Sequence, residues 1–140
     1  MEHANRALQG EASVRIDNDA DIVVARQKGR ELAGQLGFSA TDLVLITTTI
    51  SELARNIVLY AKNGEVRIAQ LSDNGKDGVM VIARDEGPGI ANVEEAVRDG
   101  FSTSGSLGLG LPGIRRLMDE VEIHSALGQG TTVIAKKWKR

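Results

Sequence analysis

Ala83-Arg84-Asp85-Glu86-Gly87-Pro88-Gly89-Ile90 is the stretch on which the fold turns. The apolar run Val79-Met80-Val81-Ile82 leads into it and reads as a buried strand. The strand therefore ends on an acid, Asp85, and enters a Gly-Pro-Gly turn. An acid fixed at a strand end can hold a ligand's donor rigidly, and Gly87 and Gly89 beside it would let a flat base approach the backbone. Asp and Gly-Pro are also ordinary turn chemistry, so a loop turn with a solvated Asp stays open at this point. Three further stretches bear on the choice: Glu52-Leu53-Ala54-Arg55-Asn56 before it, Gly105 to Gly113 after it, and Gly130-Thr131 near the end.

Outward from this stretch, the chain alternates strand and helix signals. Ala12 to Ile16 alternates as a short strand. Asn18 or Asp19 caps a helix to about Leu36, which Gly37 stops with a left-handed residue. Ser39 caps a second helix, to about Ala61, whose stripe Leu43, Ile46, Ile50, Leu53 and Ile57 faces the core. Glu52 and Asn56 lie one helical turn apart, off that stripe. Asn63-Gly64 turns the chain into a strand over Val66 to Leu71, and Ser72 to Gly78 reads as a polar hairpin loop before Val79 to Asp85. Asn92 to Arg98 reads as a short helix and Gly100 to Gly110 as a mobile loop. Leu111 to Met118 reads as a helix with Pro112 in its first turn. Val121 to Ile123 and Thr131 to Lys137 close the chain as a strand pair. The first ten residues read as a frayed end, and Lys136 to Arg140 as a solvated basic tail anchored by Trp138. Strands linked mainly as hairpins predict one α+β domain over residues 1–140, a two-layer sandwich rather than a doubly wound parallel sheet.

Composition narrows the function. At 140 residues the chain suits one core, and a net charge of −2 with 3% aromatic residues argues against a nucleic-acid surface. The absence of cysteine excludes disulfides and thiolate chemistry, and fits a cytoplasmic protein. No apolar run approaches the roughly 20 residues of a membrane span, so no membrane partner is expected.

Some motifs mislead. Gly108 to Gly113 is formally G-x-G-x-x-G, but a Ser/Thr/Gly loop rather than a strand precedes it, and too little chain follows to complete a dinucleotide-binding sheet. The same glycines mimic a eukaryotic kinase glycine loop, yet the downstream H-R-D and D-F-G elements are missing. No P-loop signature is present.

What remains describes a nucleotide site without a P-loop. Asn56 offers an oxygen to Mg²⁺, which keeps waters and substrate phosphates and so needs few protein ligands. Glu52 can accept a proton from an attacking hydroxyl or water. Asp85 can accept from an exocyclic amine. The Gly/Ser/Thr loop can close over phosphates, with the N-terminus of the Leu111 helix aimed at them. Each piece alone is weak, and an exposed Glu–Asn pair on a helix is ordinarily a solvated face.

Together, Glu52-x-x-x-Asn56, Asp85-x-Gly87-x-Gly89, Gly108-x-Gly110 and Gly130-Thr131 resemble, in order and spacing, the four nucleotide boxes of the GHKL ATPases. Ile50 to Asn56, Asp99 to Gly105 and Gly113 to Glu120 are similar to the small anti-sigma-factor serine/threonine kinases of that superfamily, those of stressosome switches above all. The resemblance runs from about Ser13 to Trp138. It implies the Bergerat fold, a mixed sheet with helices on one face, together with ATP and Mg²⁺. It implies phosphorylation of a STAS-domain antagonist or scaffold protein on serine or threonine. It also implies that the released kinase binds and activates a PP2C-type phosphatase. Carried onto this chain, Glu52 is the general base and Asn56 the Mg²⁺ ligand. Asp85 reads the adenine amine, Gly87 and Gly89 shape the base pocket, and Gly105, Gly108 and Gly110 belong to the phosphate loop. Thr131 supports Asp85. One departure stands out: Phe101 to Pro112 holds no Lys or Arg, where some relatives place a basic residue near the γ-phosphate. Arg55, Arg98 and Arg115 are the available substitutes, each with a surface role as the simpler reading.

Two rival functions fit parts of the pattern. One is a non-catalytic nucleotide-binding adaptor that only changes partners, which would not need Glu52. The other is a detached histidine-kinase catalytic domain, but His3 lacks the context of a phospho-acceptor helix.

Overall fold

The structure is a computed structural model and describes residues 10–89 and 110–140. In chain order these form β1 (Glu11–Ile16), α1 (Asp19–Gln35), α2 (Ala40–Tyr60), β2 (Gly64–Asp73), β3 (Lys76–Asp85), α3 (Gly110–Leu117), β4 (Glu120–Ser125) and β5 (Thr131–Trp138). The expectations for Met1 to Gln9, for a helix over Asn92 to Arg98 and for the loop carrying Gly105 and Gly108 lie outside the described residues.

The five strands make one sheet in the order β1-β2-β3-β5-β4. Every described pairing is antiparallel, where the resemblance implied a mixed sheet. Alternation decides the faces. Val14, Ile16, Val66, Ile68, Val79, Val81, Ala83, Val133 and Ala135 are buried beneath the helices. Met80, Ile82 and Ile134 lie on the other face and are half-buried. The α+β two-layer sandwich expected from the sequence is therefore the observed architecture.

The helices start and stop where side-chain chemistry allows. The Asp21 carboxylate accepts from the Asp17 and Asn18 amides, satisfying donors at the start of α1. Gly37, at φ +88°, turns the chain out of α1. The Ser39 hydroxyl accepts from the Asp42 amide at 3.2 Å and starts α2. Gly29 lets the two helices approach closely, because a Cβ there would overlap Ile50 Cδ1. Helix α2 then lays Ile46, Ile50, Leu53 and Ile57 on the sheet. Full burial of such a side chain contributes about 1.5–3 kcal/mol. By length and composition α2 could cross a membrane, against the expectation of no such run. Its place as the central core helix explains that composition, since a helix packed in a core is apolar in order to be buried there.

Two expectations need correction. The polar loop over Ser72 to Gly78 is a tight turn at Asn74-Gly75, with φ +53° and +80°, and the strands run on through Asp73 and from Lys76. Positive φ at both central residues is the hairpin turn that Asn-Gly favours. The C-terminal residues are not a solvated tail. Lys137 is 6% exposed and donates to the Leu117 carbonyl at 2.8 Å, closing the C-terminus of α3. The Trp138 indole donates to Glu120, and the Trp138 amide and the Arg140 guanidinium both donate to Asp119. Burial pushes the Asp119 carboxyl up, but those hydrogen bonds and the charges of Lys137 and Arg140 outweigh it. Its pKa falls below the ordinary value.

Candidate functional site

Helix α2 supplies the polar side of the site. Glu52 is 1% exposed, the most buried of the chain's described acids. The exposed Glu–Asn pair that would mark a plain helix surface is thus not what the fold makes. Among the described residues, Glu52 Oε1, Asn56 Oδ1, Ser51 Oγ and Arg55 Nε are all buried without a hydrogen-bond partner. Buried polar groups are otherwise nearly always paired, so four such atoms within six residues mark a place built for something else to enter. The nearest compensation is an ion pair, Arg55 Nε to Glu52 Oε2 at 3.8 Å.

Strand β3 supplies the other side. Asp85 ends it, and Asp85 Oδ1 accepts from the Gly87 amide at 2.9 Å, which folds the turn back on the carboxylate. Asp85 stands between Gly64 of β2 and Thr131 of β5 in the ladder. Gly64 leaves no room for a side chain: a Cβ there would overlap the Arg84 carbonyl oxygen and lie 3.0 Å from Ile57 Cγ2 and 3.1 Å from Asp85 Cβ. A Cβ on Gly87 would lie 2.7 Å from Ala61 Cβ. The turn therefore packs on the C-terminal end of α2, one helical turn beyond Asn56 and two beyond Glu52. Gly87, two residues after Asp85, thus touches the end of the helix that carries Glu52 and Asn56.

The loop between β4 and β5 closes over this turn. Gly89 and Gly130 both have left-handed backbone, at φ +78° and +79°. A Cβ on Gly89 would overlap the Ala126 carbonyl oxygen, and one on Gly130 the Asp85 carbonyl oxygen. The Gly128 amide donates to the Pro88 carbonyl. Thr131 faces Asp85 in register, while its hydroxyl pairs with Ser125 Oγ at 2.8 Å. Gly110 begins α3, and Leu111, Pro112 and Ile114 bury that helix's first turn. Asp85 also borders a hollow of about 450 Å³, lined by Arg15, Asn63, Glu65, Arg84 and Glu86 among others. No residue of α2 lines it, so it is not where the orphaned groups converge.

Sequence reasoning passed over Gly64, Ser125 and the place of Arg55. Gly64 carried only a turn signal, and nothing in the sequence marked Ser125. Arg55 stood inside the Glu52-to-Asn56 motif and was the one visible clue.

The groups present fit a nucleotide and a cation. Among the described residues no cluster of three His, Cys, Asp or Glu could make an all-protein metal cage. An orphaned amide oxygen beside a buried carboxylate suits instead a hard cation that keeps waters and phosphate oxygens.

Comparison with known proteins bears on the same point. The family model of the histidine kinase-like ATPase domain matches residues 16–137. The chain belongs to that family. This ATPase is 53% identical to the serine/threonine-protein kinase RsbT of Bacillus subtilis, over 95% of its own length and 100% of the relative's. It is 35% identical to the anti-sigma F factor of Geobacillus sp. strain WCH70, over 81% and 82% of the two chains. A solved structure of the RsbU and RsbW domains of a Mycobacterium tuberculosis protein superposes with a TM-score of 0.60 at 22% identity. That match covers 92% of this ATPase but 32% of the solved chain, and it supports the fold alone. The GHKL resemblance read from the four boxes is thus borne out, and with it ATP as the nucleotide.

Proposed function

We propose that this ATPase is a partner-switching serine/threonine protein kinase. It phosphorylates a STAS-domain antagonist or scaffold protein and, when released from that partner, binds and activates a PP2C-type phosphatase. The enzyme class is supported by the 53% identity to a serine/threonine-protein kinase over nearly the whole of both chains. The observation that carries catalysis is the Glu52 carboxylate, 1% exposed, with Oε1 one helical turn from Asn56 Oδ1 and both atoms unpartnered among the described residues. Keeping a carboxylate out of water is costly, and an adaptor that only holds nucleotide has no use for one there.

The residues divide the work. Asn56 would hold Mg²⁺ through Oδ1, and Asp85 would accept from the adenine amine. Gly87 and Gly89 give the base a wall without side chains. Gly105, Gly108 and Gly110 would approach the phosphates, and Thr131 would back Asp85 from across the ladder. Glu52 Oε1 takes the proton of the acceptor hydroxyl as that oxygen attacks. Bound MgATP supplies the phosphoryl group and the cation that offsets charge on it.

Incubation with γ-labelled MgATP and a panel of STAS-domain proteins, followed by phosphoamino-acid analysis, tests this. Acid-stable phosphoserine or phosphothreonine is expected. Acid-labile phosphohistidine on the chain itself would make it a histidine-kinase domain, and no label on any protein would make it an adaptor.

A further inference from the structure

The two oxygens of Glu52 have different surroundings. Oε2 faces Arg55 Nε at 3.8 Å, whereas Oε1 meets no polar partner among the described residues. Arg55 sits three residues on, on the same side of α2, with 33% of its side chain exposed against 2% for Glu52. Its Nε is nonetheless buried and makes no hydrogen bond among the described residues. Among the described residues Arg55 is the one cation within ion-pair distance of Glu52. A carboxylate this deep, with one oxygen facing a cation and the other facing no described polar group, has two distinguishable oxygens.

We infer that Arg55 is a positioning residue for proton transfer. Its guanidinium holds Oε2, fixes the direction of the Glu52 side chain and leaves Oε1 to the acceptor. The inference rests on the kinase reading and assigns to Arg55 a role inside it. In the step concerned, the acceptor O–H bond breaks and its proton passes to Oε1. A bond forms from the acceptor oxygen to the γ-phosphorus, and the bond from that phosphorus to the bridging oxygen breaks, with ADP leaving on the electron pair. Arg55 touches none of these atoms and acts through Glu52.

A double-mutant cycle tests this on the full chain: the unaltered protein, Arg55→Met, Glu52→Gln and the double variant. Three quantities are read from each. These are kcat for transfer from γ-labelled MgATP to a STAS-domain protein, MgATP affinity by calorimetry, and nucleotide-free stability by urea unfolding. Arg55→Met should lower kcat by about tenfold or more, within the roughly 10²–10⁴-fold that a general base contributes, with MgATP affinity unchanged. In the Glu52→Gln background, Arg55→Met should cost no further rate, because residues acting as a unit do not add. Arg55→Lys keeps the charge and should recover part of kcat. It also carries the cycle if Arg55→Met does not fold. Losses that multiply across the cycle would overturn the positioning role, as would an affinity that falls in step with kcat, since Arg55 would then be a phosphate contact. So would a normal kcat in Arg55→Met. If the unaltered protein labels no STAS protein, the kinase reading fails and this inference falls with it. If it labels one while the losses multiply, only the role of Arg55 is lost.

Discussion

Asp85 and Thr131 face each other across the β3–β5 ladder, yet each is engaged elsewhere: Asp85 Oδ1 accepts from the Gly87 amide, and the Thr131 hydroxyl pairs with Ser125. The carboxylate is thereby fixed at one oxygen by its own turn. The Ser125–Thr131 pair, with Ser125 also donating to the Gly130 carbonyl, holds the neighbouring strand end.

Fixed in this way, Asp85 should select adenine. A carboxylate accepts from the adenine amine and meets the guanine carbonyl with repulsion. MgATP at about 100 times its dissociation constant should stabilise the fold by roughly 2.7 kcal/mol. Asp85→Asn should lose most of that thermal shift, because its amide presents a donor where an acceptor is needed. Equal shifts with MgATP and MgGTP would contradict the assignment.

Gly130→Ala should be more damaging than Gly75→Ala. Both glycines have left-handed backbone, at φ +79° and +80°, so each variant carries about 1–2 kcal/mol of strain. Only at Gly130 does the new methyl overlap the Asp85 carbonyl, while Gly75 has open space around it. Urea unfolding of both variants, with MgATP affinity for each, checks this. Gly130→Ala should lose affinity as well as stability. Equal destabilisation with intact affinity in both would show that the loop after β4 does not brace the Asp85 turn.

The clamp on α3 sets a pH dependence. The Asp119 carboxyl has its pKa lowered on folding from the ordinary 3.8, so it stabilises the fold above that value. That contribution is lost as pH falls through the lowered folded value. Asp119→Asn should therefore be less stable than the unaltered protein by a constant margin from neutral pH down to about pH 4, a margin that closes only below it. Chemical unfolding along that range measures it. A margin that closes between pH 7 and 5 would contradict the clamp.

Much of this was legible in the sequence because it rests on local signals. The 3-and-4 spacing of Ile46, Ile50, Leu53 and Ile57 announced the buried face of α2, and Ser39 and Gly37 marked the break between the helices. The apolar run before Asp85 announced β3 and its end. Other features depend on tertiary contacts. Glu52 reads as a surface acid until α2 is seen with that side covered. Lys137 reads as part of a charged tail until β5 is seen to pass the end of α3, where a carbonyl needs a donor. Gly64 is a turn residue in the sequence, and its need to be small comes first from the Arg84 carbonyl, 20 residues on, and then from Ile57 and Asp85. The Asn74-Gly75 hairpin was readable, and the polar residues around it masked the strands on either side.

The central claim is that Glu52 moves a proton and does not bind nucleotide. Glu52→Gln keeps the shape of the side chain and removes its capacity as a base, so transfer rate and MgATP affinity measured on the same sample separate the two roles. The account predicts a transfer rate to a STAS-domain protein lower by about 10²–10⁴-fold, with MgATP affinity and phosphatase activation nearly unchanged. Undiminished transfer, or a loss of affinity as large as the loss of rate, would contradict it.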